Sequence, residues 1–335
     1  MIITILAALS LAGCSVEWVY HYQEGFIYGS TYHITYEYKA RHPLEKQING
    51  ILERIDKTMS IYDSTSLISR INRNDPAARL DSDLIRLINT GLEVWKKSGG
   101  AFDMTVAPLV NAWGFGFTEK QKITQSLIDS LLSFTGFDKI TVEGDRLVKQ
   151  DTRIMIDPNA IAPGYVVDIV SEFLESSGVV DYLVEIGGEL RCKGLNPKGI
   201  QWRVGIDKPI ENTFERQIQQ VLHLSGISVA TSGNYRKFYE EDGIKYSHTI
   251  NPRTGYPARS NLLSATVLTE KCVYADAYAT VFMVLGLEKS IELAASMPEL
   301  EVFFIYADES GAMQVYESPG IEPLIHDFKT EQEQP

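Results

Sequence analysis

The chain is poor in cysteine. Only Cys14, Cys192 and Cys272 occur in 335 residues. That is too few for a disulfide framework, and no Cys-x-x-Cys pair of a zinc or redox site is present. Neither a phosphate-binding Walker loop nor a Gly-x-Gly-x-x-Gly fingerprint occurs at the spacing those folds require. No apolar run reaches the roughly 20 residues that span a bilayer as a helix. Positive charge is also scarce. Thirty-one Lys and Arg face 44 Asp and Glu, a net charge of −13. Such a chain is a poor partner for nucleic acid, whose affinity comes largely from neutralised phosphates. It has no internal repeat, low-complexity linker or long charge run.

What remains is an ordinary globular composition, 44% hydrophobic and 22% charged, long enough to bury a sizeable core. Length alone allows about two domains. The even patterning favours one α+β unit over residues 25–325, followed by a polar tail, 326–335. The start differs. An apolar stretch from Ile2 to Ala12 leads into Leu11-Ala12-Gly13-Cys14. A short apolar segment followed by small residues reads as a secretory signal, here residues 1–13. The tetrad resembles the bacterial lipobox, whose cysteine is lipidated and becomes the mature N-terminus. The chain is then an exported lipoprotein, anchored through Cys14 on the periplasmic side or the cell surface. Against this, no Lys or Arg precedes Lys39, and the competing reading is a buried N-terminal segment.

The segment from Trp18 to Tyr38 is rich in Tyr, Thr and Ile and predicts strand. Leu44, Ile48, Ile51, Leu52, Ile55 and Met59 recur at helical spacing after Pro43. A second helix runs from Asp81 or Ser82 to Gly99-Gly100. Shorter helices are expected from Thr105 towards Trp113 and around Leu127–Leu132. Strands follow at 140–142, 147–149 and 154–156, then a helix through Val166–Leu174. Further strands are expected at 182–186, 202–206, 221–224 and 264–268. Two late helices span 275–285 and 287–297, and a strand at 302–306 leads into a hairpin to Val315.

Several stretches combine Gly, Ser, Thr and Asn next to apolar strands: Gly29–Tyr32, Gly187–Glu189, Thr231–Tyr235 and Asn251–Pro257. Gly lets backbone N–H groups approach an anion, so phosphate or sugar contacts are one use. Each alone is also a plain turn signal. Asp276 and Thr280 lie four apart on a predicted helix, so their oxygens share a face. Two hard oxygen donors suit Mg²⁺ better than zinc. Otherwise Asp276 is a first-turn carboxylate and Thr280 bonds back within its helix. His248, at a strand end, is a candidate general base or phosphate contact, or a satisfied structural residue. Tyr62, Phe102 and Trp113 read first as core, with packing on a flat ring system as the other use.

In order, the motifs resemble the ApbE family of FAD:protein FMN transferases. They are Met59–Asp63 with Ser69–Asn72, Gly100–Val106, Ile156–Tyr165 with Asp168, Gly187–Glu189, Thr231–Tyr235 with Ser247–Gly255, and Ala275–Thr280. The resemblance implies an α+β, T-fold-like core with mixed or antiparallel sheets and packed helices. It implies Mg²⁺-dependent cleavage of FAD, transfer of FMN through a phosphoester bond to a Thr or Ser of a partner flavoprotein, and release of AMP. The implied partner is a subunit of a membrane redox or ion-pumping complex. By position, Asp276, Thr280 and the carbonyl of Ala160 match metal ligands. Met59, Ala101, Phe102, Asp103, Asp157, Pro163 and Ile250 match the FAD site, and His248 and Asp276 match catalytic positions. Pro163 stands where relatives carry a polar residue, and Ala279 where a polar residue is frequent. Two other outcomes of the same pocket are an FAD pyrophosphatase and a non-catalytic, lipid-anchored flavin-binding protein.

Overall fold

The computed structural model describes residues 17–27, 29–116, 119–210, 217–234, 238–241 and 244–326. Strands β1 (Trp18–Ile27) and β2 (Ser30–Lys39) open the chain. Helices α1 (Glu45–Met59), α2 (Leu67–Asn72), α3 (Ser82–Lys97), α4 (Ala107–Ala112) and α5 (Gln125–Leu132) follow. Next come β3 (Ile140–Glu143), β4 (Arg146–Lys149), α6 (Ala162–Ser176), β5 (Tyr182–Ile186), β6 (Glu189–Lys193), β7 (Trp202–Asp207), β8 (Ile218–Leu224) and β9 (Ile227–Gly233). The last elements are β10 (Phe238–Glu241), β11 (Ile244–Ser247), β12 (Leu262–Thr269), α7 (Cys272–Leu285), α8 (Leu287–Ala295), β13 (Glu301–Ala307), β14 (Met313–Glu317) and β15 (Ile325–His326).

The centre is an eight-stranded sheet in the order β1-β2-β5-β6-β9-β12-β13-β14, antiparallel throughout. The fold is therefore α+β, as the resemblance implies. Helices cover one face. On α1, Ile48, Leu52, Ile55 and Met59 form a buried stripe, the spacing expected of an amphipathic helix. Its start is tied to the sheet, because Leu44 N–H donates to Tyr36 Oη at 2.9 Å. Helix α3 starts at Asp81, whose side chain accepts from Leu84 N at 2.8 Å, a standard cap. Helix α7 is different. It is buried nearly all round, as a core helix must be, so its apolar run rather than its periodicity marks it.

The other face is covered only in part. A small sheet, β15-β8-β7, supplies Trp202, Ile206, Leu222 and Leu224 to a second core with Leu190, Cys192, Val229, Phe303 and Ile305 of the large sheet. Strand β13 is thus buried on both faces. Val302 and Phe304 point to the helices, Phe303 and Ile305 to the second core.

Four local expectations change. Residues 18–38 form a hairpin, turning at Gly29 with φ +74°, so of Gly29–Tyr32 Gly29 lies in the turn and Ser30–Tyr32 begin β2. Residues 154–156 are not a strand. Thr231-Ser232-Gly233 is the end of β9. His326, assigned to the polar tail, pairs with Val221; residues 327–335 lie outside the described residues, as does the segment through Cys14. No described helix is long and apolar enough to cross a membrane.

Candidate active site

One cleft of about 660 Å³ collects residues from eight separate stretches between Ile61 and Val284. Its size suits a small-molecule or cofactor site, typically about 300–1,000 Å³. Ala101, Phe102, Asp103, Asp157, Ala160, His248, Ile250, Asp276 and Thr280 all line it. Met59 and Pro163 do not. Met59 is 1% exposed and belongs to the core. Pro163 sits in the first turn of α6, where a helix leaves its N–H groups unpaired, so the donor that proline lacks costs nothing there.

The floor is made by two helices that cap each other. Oδ2 of Asp276, on α7, accepts the N–H of Gly164 at the start of α6 at 2.9 Å. In return Asp168, on α6, accepts the N–H groups of Cys272 and Val273 at the start of α7, at 3.0 and 2.9 Å. Each carboxylate lies at the positive end of its neighbour, which favours negative charge. Asp168 is also paired with Arg191 at 3.1 Å. The helices approach so closely that a Cβ on Gly164 would lie 2.5 Å from the Cys272 carbonyl oxygen. Burial pushes the Asp276 carboxyl up to about 7, against the lowering effect of the Gly164 bond.

The walls are pinned by side chains rather than by sheet. Asn72 mimics a strand partner: its Nδ2 donates to the Ile156 carbonyl at 2.9 Å and its Oδ1 accepts the Ile156 N–H at 2.8 Å. Ile156 thus has both backbone groups bonded although residues 154–156 pair with no strand. Asp103 accepts Thr105 N and Oγ1 at 2.8 and 2.6 Å through one oxygen and Phe137 N at 3.1 Å through the other. Burial raises its carboxyl above the usual range despite these bonds. Asp157 N–H donates to the Met104 carbonyl at 2.7 Å, joining the two walls.

His248, Thr249 and Ile250 enter the cleft from a tight loop. Gly255 N–H donates to the Asn251 carbonyl at 2.9 Å, with Gly255 at φ +73°. Trp113 Nε1 donates to the Gly255 carbonyl at 2.8 Å, and the Arg253 guanidinium reaches the Gly99 carbonyl. This stretch, one of those suited to an anion, is occupied mainly with holding itself in place; Pro252 is its contribution to the cleft. Tyr235 lies outside the described residues.

Sequence reading missed some lining residues. Arg73 and Asn111 face the cleft, but neither stands in a motif that marks it. Helix α2, which precedes Arg73, has six residues, too few for a periodic signal. Tyr62, expected first as core, is 59% exposed at the cleft. Among the described residues, no three His, Cys, Asp or Glu side chains form a metal-binding group. Asp276 and Thr280 instead stand one turn apart on α7, both lining the cleft with Ala160. One carboxylate, one hydroxyl and one carbonyl are hard oxygen donors, which fits an ion that keeps several waters or takes substrate phosphates, as Mg²⁺ does.

The geometry agrees with what this chain resembles. The FAD:protein FMN transferase of Vibrio cholerae serotype O1 is 34% identical over 333 residues, covering 97% of this chain and 98% of that one. The enzyme of the same name from Escherichia coli is 35% identical over 291 residues, 84% of this chain and 82% of that one. Among solved structures, the flavin transferase ApbE from Vibrio cholerae superposes with a TM-score of 0.82 at 32% identity, covering 92% of this chain and 100% of that chain. The ApbE protein from Thermotoga maritima gives a TM-score of 0.79 at 25% identity, covering 92% and 100%. A sequence model of the ApbE family matches residues 28–304, and this chain belongs to the ApbE family.

Proposed function

We propose that this chain is a transferase that moves FMN from FAD to a protein, as its curated relatives are named. The observation that carries the reading is the convergence of Asp276, Thr280, Ala160, His248 and the Ala101–Asp103 segment on one cleft.

In detail, FAD is cleaved at its pyrophosphate. The oxygen of an acceptor Thr or Ser bonds to the FMN phosphorus, the bond from that phosphorus to the bridging oxygen breaks, and AMP leaves with that oxygen. The hydroxyl proton passes to the cleft wall, where Asp276 and His248 are the candidate bases. Asp276, Thr280 Oγ1 and the Ala160 carbonyl would hold Mg²⁺. When bound, the ion offsets charge on the pyrophosphate oxygens as the bond breaks. The chain's own residues supply the rest. Phe102 and Ile250 give apolar surface for a flat ring system. Asn72 and Asp103 keep the walls in register. The Gly164 bond fixes the rotamer of Asp276. We further read the protein as exported and held to a membrane through lipidated Cys14. Its acceptor is then a flavoprotein of a membrane redox or ion-pumping complex.

The test mixes the protein with FAD, Mg²⁺ and a candidate acceptor domain and follows flavin fluorescence through denaturation. Covalent FMN on the acceptor with one AMP released per FMN is the expected result. Free FMN and AMP without labelling would make the protein an FAD pyrophosphatase, and binding without cleavage a flavin carrier.

A further inference from the structure

Strand β1 is the edge of the large sheet, and of its residues Tyr20 alone packs against the second core. Its alternate residues point to one face. On that face Trp18, Tyr22 and Phe26 are 49%, 70% and 72% exposed. Three large aromatics in nine residues are exposed on a strand whose other face is tied to α1, Gln23 Nε2 donating to Asn49 Oδ1 at 2.6 Å, with Phe26 at the strand end also bordering a pocket beside α1. The row is held rigid. Tyr20, between the first two, donates its hydroxyl to the Leu195 carbonyl at 3.0 Å, and all ten β1 residues pair with β2.

What lies upstream identifies the occupant. Cys14 stands four residues before Trp18, a span of at most about 14 Å even when fully extended. A lipid on Cys14 therefore brings the start of β1 to the bilayer surface. Trp and Tyr favour that depth, where an amphipathic ring sits among headgroups. The charges beside the row choose the headgroup. Glu24 and Glu37 share the face, Glu185 is paired with His33 at 2.6 Å, and Lys39 stands opposite Trp18. A face without a basic cluster suits zwitterionic rather than anionic lipid.

We propose that the outer face of β1, through Trp18, Tyr22 and Phe26, seats on the zwitterionic headgroup layer of the membrane that holds Cys14. This rests on the lipoprotein reading given above. The consequence is orientation. Phe26 is paired in register with Thr31, and the Thr31 carbonyl accepts the N–H of Gly187, a cleft residue, at 3.0 Å. The aromatic row thus runs from the anchored end of the sheet to its cleft end, about 27 Å away at strand rise. With both ends of the row on the bilayer, the cleft mouth is held at a fixed height, within reach of a membrane-embedded acceptor. The anchor keeps the face at high effective concentration, so weak aromatic contacts suffice.

The full-length chain carrying its lipid is reconstituted into phosphatidylcholine–phosphatidylethanolamine vesicles containing a shallow nitroxide-labelled lipid. Trp113 and Trp202 are buried and Trp95 is half-buried, so Trp18 is the expected source of quenchable emission. The expected result is strong quenching that Trp18→Phe removes. Tyr22→Ser with Phe26→Ser should weaken the quenching several-fold, leaving FMN transfer to a soluble acceptor domain unchanged. A vesicle-bound chain with acyl mass on Cys14 but unquenched Trp18 overturns the contact while the anchor stands. A chain without acyl mass that stays off the vesicles overturns both. A dimer that Tyr22→Ser with Phe26→Ser dissolves would assign the face to a second copy and overturn the membrane contact.

Discussion

The N–H of Gly164 and the carboxylate of Asp276 meet at 2.9 Å across the junction of α6 and α7. The two residues are 112 positions apart, and the bond exists because nothing larger than hydrogen stands between the helices. A Cβ at Gly164 would lie 2.8 Å from Asp276 Cβ as well as 2.5 Å from the Cys272 carbonyl oxygen. The second neighbour is backbone and cannot rotate away. Gly164→Ala is therefore expected to part the helices, at a cost of about 1–3 kcal/mol. Flavin transfer should fall more steeply than stability, since the parting moves Asp276 itself. Thermal melts and FMN-transfer rates on the same variant check this; an unchanged rate would exclude the junction as a determinant of the site.

Asp168 closes the reciprocal half of the junction. It is 1% exposed and holds two backbone N–H groups and Arg191. Asp168→Ala leaves both N–H groups unpaired in a buried place and Arg191 with Glu175 alone, at 3.2 Å. Removing one partner of a buried ion pair costs roughly 3–5 kcal/mol, so a urea midpoint well below that of the parent is expected. Asp168→Asn keeps one of the two acceptor oxygens and loses the charge, and should fall between the two.

Asp276→Asn separates charge from shape. The amide oxygen can still accept the Gly164 N–H, so the junction should survive. The proposed Mg²⁺ site loses its one carboxylate. Turnover of the variant should drop to the level that the parent shows with excess EDTA, and added Mg²⁺ should not restore it. Full activity in Asp276→Asn would remove the residue from the metal site.

The two described thiols give a readout of Cys14. Burial pushes the Cys192 thiol up to about 12 and Cys272 well above its ordinary range. A raised thiol value means less thiolate at any working pH, and thiolate is the reactive form. The native protein should therefore show no fast-reacting thiol if Cys14 is acylated, and one if it is not. Both buried thiols should appear on denaturation. A native count of two or more would contradict the burial of Cys192 and Cys272.

How much of this was legible beforehand depends on what carried the signal. Helices α1 and α3 show in the sequence because a single buried stripe recurs with the helical period. Strand β9 is hidden because its last residues, Thr231-Ser232-Gly233, have turn composition, and only pairing with β12 makes them strand. Asp276 and Thr280 are legible as a pair because one turn of helix joins them. Their approach to Ala160 and His248 is a property of the tertiary fold, and only the order of motifs signals it. Met59 follows its motif into the core rather than the cleft, since its place on the buried stripe of α1 decides where it points.

Asn72 is the residue for which local pattern fails most plainly. Apolar Ile154 and Ile156 suggest a strand, but the partner is one amide side chain 84 positions away. Asn72→Ala removes both bonds and leaves the N–H and carbonyl of Ile156 without their partners. An unmade bond of that kind costs about 1–3 kcal/mol for each group left buried. Because Met155, Ile156 and Asp157 line the cleft, the loss should also loosen that wall. The expected signature is a raised KM for FAD with a smaller change in kcat. Asn72→Asp keeps the acceptor for Ile156 N–H but offers no donor to the carbonyl, so it should recover part of the stability. Equal KM values for the parent and Asn72→Ala would show that the wall keeps its shape without the amide.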